Sequence, residues 1–148
     1  MKLRTSLAAA GAAVVLGTTG ALVLPAVASA HSATHMLKFT ALQKATAGFT
    51  RATGGIQNTD VNTTGKTIGF DMLYFAATSA TSGAVNITGA VSGGFLYGTG
   101  TVNFKTGAFS NGKVTGGTGA FAGATGTIKT KNLNKAGTRT AVTITYST

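Results

Sequence analysis

Side chains that could carry out acid–base or metal chemistry are few in this chain of 148 residues. Asp60 and Asp71 are the only carboxyl side chains, no Glu or Cys is present, and there are 2 His. The absence of Cys excludes disulfides and thiolate chemistry. Two carboxyls and two His are too few for most metal sites and most acid–base pairs of carboxyls. We therefore expect no cofactor and no bound metal.

Asp71 and Tyr97 are the candidates for a catalytic role. Asp71 lies among apolar residues, where a carboxyl is unusual. If its side chain faces a protein interior, burial raises its pKa and it can donate a hydrogen bond to a ligand oxygen; the alternative is an outward residue paired with a Lys or a neighbouring subunit. Tyr97 lies between glycines that leave room for a ligand. Its alternative is an ordinary strand aromatic with the hydroxyl at the surface.

Three further residues are candidates for contacting a ligand: Asp60, Tyr74 and Phe95. Asp60 belongs to a polar stretch, residues 58–65, for which a solvated turn is the alternative interpretation. Tyr74 could present its hydroxyl to a cavity, and its alternative is again a surface aromatic. Phe95 could line a ligand site or pack in the core.

The elements that must position these residues are predicted to be strands. Short runs of β-branched and aromatic residues alternate with Thr, Gly and Asn, and no long stretch has helical periodicity. In residues 66–78, Asp71, Leu73 and Phe75 share one face, and Phe70, Met72 and Tyr74 share the other. The strands predicted individually cover residues 36–43, 66–78, 84–91, 95–104, 125–133 and 138–147, with turns at 78–83 and 106–112.

Strands joined by short turns leave exposed edges unless the sheet closes on itself. About eight strands of ordinary length would use most of the chain after residue 30. We therefore predict an all-β protein, a single small antiparallel eight-stranded β-barrel, with a two-sheet sandwich as the rival architecture.

Residues 1–30 have the pattern of a signal peptide. Lys2 and Arg4 precede an uncharged Ala-, Val- and Leu-rich run, and small residues end the segment at Ala30. The apolar run is interrupted by glycines and no basic stop-transfer cluster follows, so a membrane-spanning segment is not expected. The prediction is a secreted protein whose barrel domain covers residues 31–148.

The charge of the chain is strongly positive. Removal of Lys2 and Arg4 with the signal peptide lowers the formal net charge from +10 to +8. Such a surface attracts anionic partners, of which cell-wall polymers fit an extracellular protein. Specific nucleic-acid binding is not expected, because no aromatic residue is interleaved with the basic residues of segment 129–139.

The run from Gly112 to Thr127, which contains VTGGTGAFAGATG, resembles the signature of the allene oxide cyclase and dirigent barrel superfamily. Segments 65–69, 93–100 and 138–146 resemble other strands of that superfamily. The Ala-rich leader and the Thr/Gly bias resemble its secreted bacterial members.

The resemblance implies a small antiparallel barrel with a hydrophobic cavity, trimeric in many plant members. It also implies a protein that holds a reactive apolar molecule and guides the stereochemistry of a cyclisation or coupling, because fixed conformation and exclusion of water suffice for such steps. Asp60 stands near the place of an acidic pair in plant dirigent proteins. The alternative, from a different class, is a non-catalytic extracellular barrel that adheres to anionic cell-wall polymers through its basic surface.

Overall fold

The computed structural model describes residues 33–50 and 52–148, so the predicted signal peptide lies outside the described residues. The described chain forms eight antiparallel strands, each paired with the next, and the eighth pairs with the first to close a barrel. This confirms the predicted eight-stranded β-barrel. The strands are β1 (Thr34–Ala47), β2 (Thr53–Val61), β3 (Thr67–Ala77), β4 (Ser82–Val91), β5 (Gly94–Asn103), β6 (Phe109–Gly117), β7 (Thr125–Asn132) and β8 (Arg139–Ser147).

The only helical element of the described chain is a single 3₁₀ turn, Gly119–Phe121, between β6 and β7. No helix in this part of the chain is long and apolar enough to span a membrane.

The period-two alternation predicted for β3, β4 and β8 is confirmed. In β3, Asp71 is buried between the exposed residues Phe70 and Met72. In β8, Val142 and Ile144 are buried, as their common face predicts. Inward and outward faces therefore follow from the pleat of each strand.

Two strands lack this signal and were not predicted individually. In β2 the inward positions are Gly54, Ile56, Asn58 and Asp60, so a single large apolar residue stands on the inward face and an apolar/polar alternation is missing. In β6 the pairing with β5 is interrupted by irregular register, and Asn111 has a φ of 54°. The predicted turn at 106–112 is therefore too long, because β6 begins at Phe109.

Inward glycines provide the space for large rings inside the barrel. A Cβ at Gly54 would collide with the ring of Phe75, and a Cβ at Gly100 or Gly112 would collide with the ring of Phe109. A narrow barrel can hold several phenylalanines only if the facing positions are small. This pairing of ring and glycine explains why Gly54, Gly100 and Gly112 lack a side chain.

Phe121 closes one end of the barrel. The 3₁₀ turn places its ring in the core, 4% exposed, in an edge contact with Tyr146 at 5.5 Å between ring centroids. The turn is fixed by close backbone contact with the β4–β5 connection, where Ala120 N–H donates to the Gly93 carbonyl oxygen at 2.9 Å. The Gly-rich run 116–126 thus forms an end cap of the barrel.

Candidate functional site

The interior of the barrel contains a cavity of about 360 Å³. This volume falls within the range of small-molecule sites. Its walls are mainly apolar: Phe39, Ala41, Ile56, Leu73, Val85, Ile87, Leu96, Ile128, Val142 and Ile144.

The cavity reaches solvent at the end opposite to Phe121. Phe49, Phe75 and Phe104 line it at this end, with ring centroids 5.1 Å apart for the first two and 5.8 Å apart for the last two. Phe49 and Phe104 are 55% and 39% exposed. The three rings form an aromatic mouth, from which an apolar molecule could enter the barrel.

Asp71 lies deep in the cavity, four residues along β3 from Phe75. At the rise of an extended strand this separation is about 13 Å. Asp71 is 6% exposed, and its Oδ1 accepts a hydrogen bond of 2.7 Å from the Asn58 side-chain amide, directly across the β2–β3 pair. Burial raises the pKa of Asp71, while the hydrogen bonds from Asn58 and Asp60 oppose that rise.

Asp60 lies beside Asp71 and is completely inaccessible to solvent. Burial, then the charge of Asp71 and a hydrogen bond to Asp71, raise the pKa of Asp60 to about 8. Neither Asp60 oxygen accepts a hydrogen bond from a donor of the described residues. Two carboxyl groups can hydrogen-bond only when one carries a proton, so a protonated Asp60 donates to Asp71.

The pairing of these carboxyls corrects two expectations from the sequence. The interpretation of Asp60 as a solvated turn residue is wrong, because Asp60 points inward from β2. The scarcity of carboxyls was expected to exclude most acid–base pairs, yet the only two in the chain meet inside the barrel. Of the two orientations left open for Asp71, the structure shows the inward one, and burial raises the pKa of its carboxyl.

The other candidates lie elsewhere. Tyr74 and Phe95 point outward and are 51% and 42% exposed, so the structure does not bring their side chains to the cavity. Tyr97 contributes to the cavity wall, but it is 39% exposed and lies between the inward residues Leu96 and Gly98. The alternation of β5 therefore directs its ring outward.

Asn58 was missed by the sequence analysis. It is 8% exposed and holds the carboxyl that lines the cavity. The i, i+2 spacing of Asn58 and Asp60 places both on one face of a strand, and this was the available signal.

Chemically, the site can bind an apolar molecule and offer one polar contact that exchanges a proton. Asp71 can accept a hydrogen bond or proton from a ligand, and Asp60 holds a proton at neutral pH. Within residues 33–50 and 52–148, no group of three or more His, Cys, Asp or Glu residues could hold a metal ion.

No protein-family model matches the chain, and no curated protein sequence matches it. Among solved structures, a pyocyanin demethylase is similar with a TM-score of 0.57 at 12% identity, over 76% of this chain and 99% of that chain. At this level of identity, the similarity shows a common barrel fold.

Proposed function

We propose that the protein binds a small apolar molecule inside the barrel, with Asp71 contacting the polar group of that ligand. The observation that carries this proposal is a cavity of about 360 Å³ with apolar walls, an aromatic mouth and a carboxyl at depth. Binding in such a cavity is favourable mainly because it removes apolar surface of the ligand from water.

The proposed reaction, if the ligand is converted, is guidance of a cyclisation or coupling, as in the allene oxide cyclase and dirigent superfamily. The apolar walls support it because they exclude water and restrict ligand conformation. Asp71 is the proposed proton acceptor or donor, and Asp60 is the positioning residue that shares its proton.

The proposal is tested by extracting purified protein with organic solvent and analysing the extract by mass spectrometry. We expect a small apolar compound in the wild type and in Asn86→Trp, whose new ring points outward. Ile87→Trp, one residue along the same strand, fills the cavity and should lose the compound. Equal recovery from both variants, or no compound and no apolar binding in titrations, would contradict the proposal.

We also propose that the protein is secreted and that residues 1–30 are removed. The cationic start, the apolar run and the small residues before His31 support this. N-terminal sequencing of protein from the culture medium should then begin at His31.

A second candidate function is adhesion to anionic cell-wall polymers. It is favoured by a basic outer face on β1 and β6–β8, where Lys38, Lys113, Lys129, Lys131 and Arg139 are all exposed. Retention on an anionic polymer should then decrease steeply with salt, because these charges are screened. Lys129→Gln with Lys131→Gln should elute at lower salt.

A further inference from the structure

The cavity combines apolar walls with a concentration of negative charge. Asp71 lines the cavity and Asp60 lies beside it, so the two carboxyl side chains of the chain meet here although the formal net charge of the chain is +10. None of the described residues that line it is Lys, Arg or His. Besides burial, the groups of the described residues that act on the pKa values of Asp60 and Asp71 are the two carboxyls themselves and the Asn58 amide, and none of them is a cation.

Where the carboxyl pair holds a single proton, that proton lies on Asp60 and the negative charge lies on Asp71. Asp60 keeps its proton because its pKa is about 8. The Asn58 amide, 2.7 Å from Asp71 Oδ1, favours the ionised form of Asp71. The remaining charge therefore lies on Asp71, the member of the pair that lines the cavity.

Among the described residues, the elements packed against the pair add no Lys, Arg or His to the cavity wall, and their titratable side chain is Tyr97, whose ring the alternation of β5 directs outward. Across β1 and β4 the residues at the same level are Ala41, Gln43 and Gly89. The wall formed by β5, β7 and β8 is mainly apolar, and its polar members are uncharged. A buried charge of this kind is costly unless an opposite charge approaches it.

We propose that the ligand of this cavity is an apolar, aromatic-sized molecule that carries one protonated nitrogen with an N–H group, which donates to Asp71. This rests on the proposed function and narrows its ligand class. A neutral ligand would displace water from around the carboxylate without supplying a counter-charge, and an anionic ligand would be repelled by it. The aromatic mouth is compatible with passage of a cation, because ring faces attract positive charge.

The positive exterior does not prevent binding of such a cation. Charges separated by more than a Debye length of about 8 Å at physiological salt are largely screened. The carboxylate, in contrast, contacts the ligand directly at low local dielectric. The exterior therefore slows the approach of the cation more than it weakens the complex.

Three size-matched fluorescent probes test the proposal: 1-naphthylmethylamine, 1-naphthylmethanol and 1-naphthoate, which are cationic, neutral and anionic at pH 7. We expect the amine to bind at least about tenfold more tightly than the alcohol, and the naphthoate to bind most weakly. Asp71→Asn should remove the preference for the amine while the alcohol still binds, which also shows that the variant is folded. Met72→Gln, at the adjacent outward position, should keep the preference.

A second measurement needs no variant. At pH 4 the wild-type pair is more protonated, since burial raises both pKa values above their usual range, so the preference for the amine should decrease although the amine stays charged. If the alcohol binds as tightly as the amine at pH 7, or the preference survives Asp71→Asn, the cationic class is wrong and the proposed function stands. If none of the three probes binds, both are contradicted.

Discussion

At the scale of single residues, the paired carboxyls of Asp60 and Asp71 have the largest expected effect on how stability depends on pH. Asp60 is inaccessible to solvent, and neither of its oxygens has a donor among the described residues. An ionised carboxylate in that place would be strongly destabilising, so the neutral acid is the form compatible with the fold. The proton on Asp60 is therefore part of the folded structure.

This proton makes stability depend on pH in the opposite sense to that of a salt-bridged Asp. The folded chain keeps the proton up to about pH 8, whereas the pKa of a free Asp side chain is 3.8. The folded state thus binds more protons across this window, and the free energy of unfolding should fall as pH rises from 5 to 9. Urea denaturation at pH 5, 7 and 9 measures this change.

Asp60→Asn should flatten that dependence. At pH 9 we expect the variant to be more stable than the wild type by roughly 1–3 kcal/mol, a value reduced from the full shift because solvent in the adjoining cavity screens the charge. Thr59→Ser, at the neighbouring outward position, should keep the wild-type slope. A wild-type stability that rises between pH 5 and pH 9 would show that Asp60 is not held as the neutral acid.

How far this site could be predicted depended on each strand's pattern. Asp71 could be placed on one face of β3 with Leu73 and Phe75, but the opposite face is apolar as well, so the pattern left open which of the two points inward. Asp60 and Asn58 could not, because in β2 the polar residues themselves point inward and the sequence looks like a solvated loop. The pairing of the two carboxyls depends on the β2–β3 register, which places Asn58 opposite Asp71 and cannot be deduced from either strand alone.

At the scale of elements, the end cap shows why the Gly-rich run has its composition. Gly119 has a φ of 60°, and a Cβ on it would collide with the Gly93 carbonyl oxygen. The Gly-rich run resembles a barrel signature in sequence. Its role in seating Phe121 in the end of the barrel depends on contacts between the 3₁₀ turn and the β4–β5 connection. The residues that make those contacts are far apart in the sequence, so a local pattern does not reveal them.

Gly119→Ala should therefore destabilise the barrel by more than the cost of placing an alanine at a positive φ, because the new Cβ also collides with Gly93. Gly48 provides the matched control, since its φ is 62° and nothing lies within 4 Å of a Cβ placed there. We expect Gly48→Ala to cost about 1 kcal/mol and Gly119→Ala roughly 2–4 kcal/mol in the free energy of unfolding, measured by urea titration. Equal costs would mean that the contact with Gly93 adds nothing to the stability of the cap.

At the scale of the whole molecule, the outer surface has two different faces. The basic outer face lies on β1 and β6–β8. An apolar outer face lies on β3–β5, where Phe70 and Phe95 form one row across the strands, and Met72 and Tyr97 form the next. All four are at least 39% exposed. We expect copies of this chain to associate through the apolar outer face. The lysines of the basic outer face lie on other strands, so such a contact does not bring like charges together.

This association predicts a specific response to added charge. Met72→Lys with Tyr97→Lys should convert an oligomer into a monomer in sedimentation velocity, because two desolvated ammonium groups in each contacting surface cost more than an interface of ordinary size can supply. Thr125→Lys with Thr127→Lys adds the same charge to exposed positions of β7 and should leave the oligomer intact. A wild-type protein that sediments as a monomer at the highest concentration reached would instead leave the apolar outer face without a role in self-association. Phe70, Met72 and Phe95 do not line the cavity, whereas Tyr97 contributes to its wall, so probe binding should equal that of the wild type in Met72→Lys alone if each barrel binds its ligand independently.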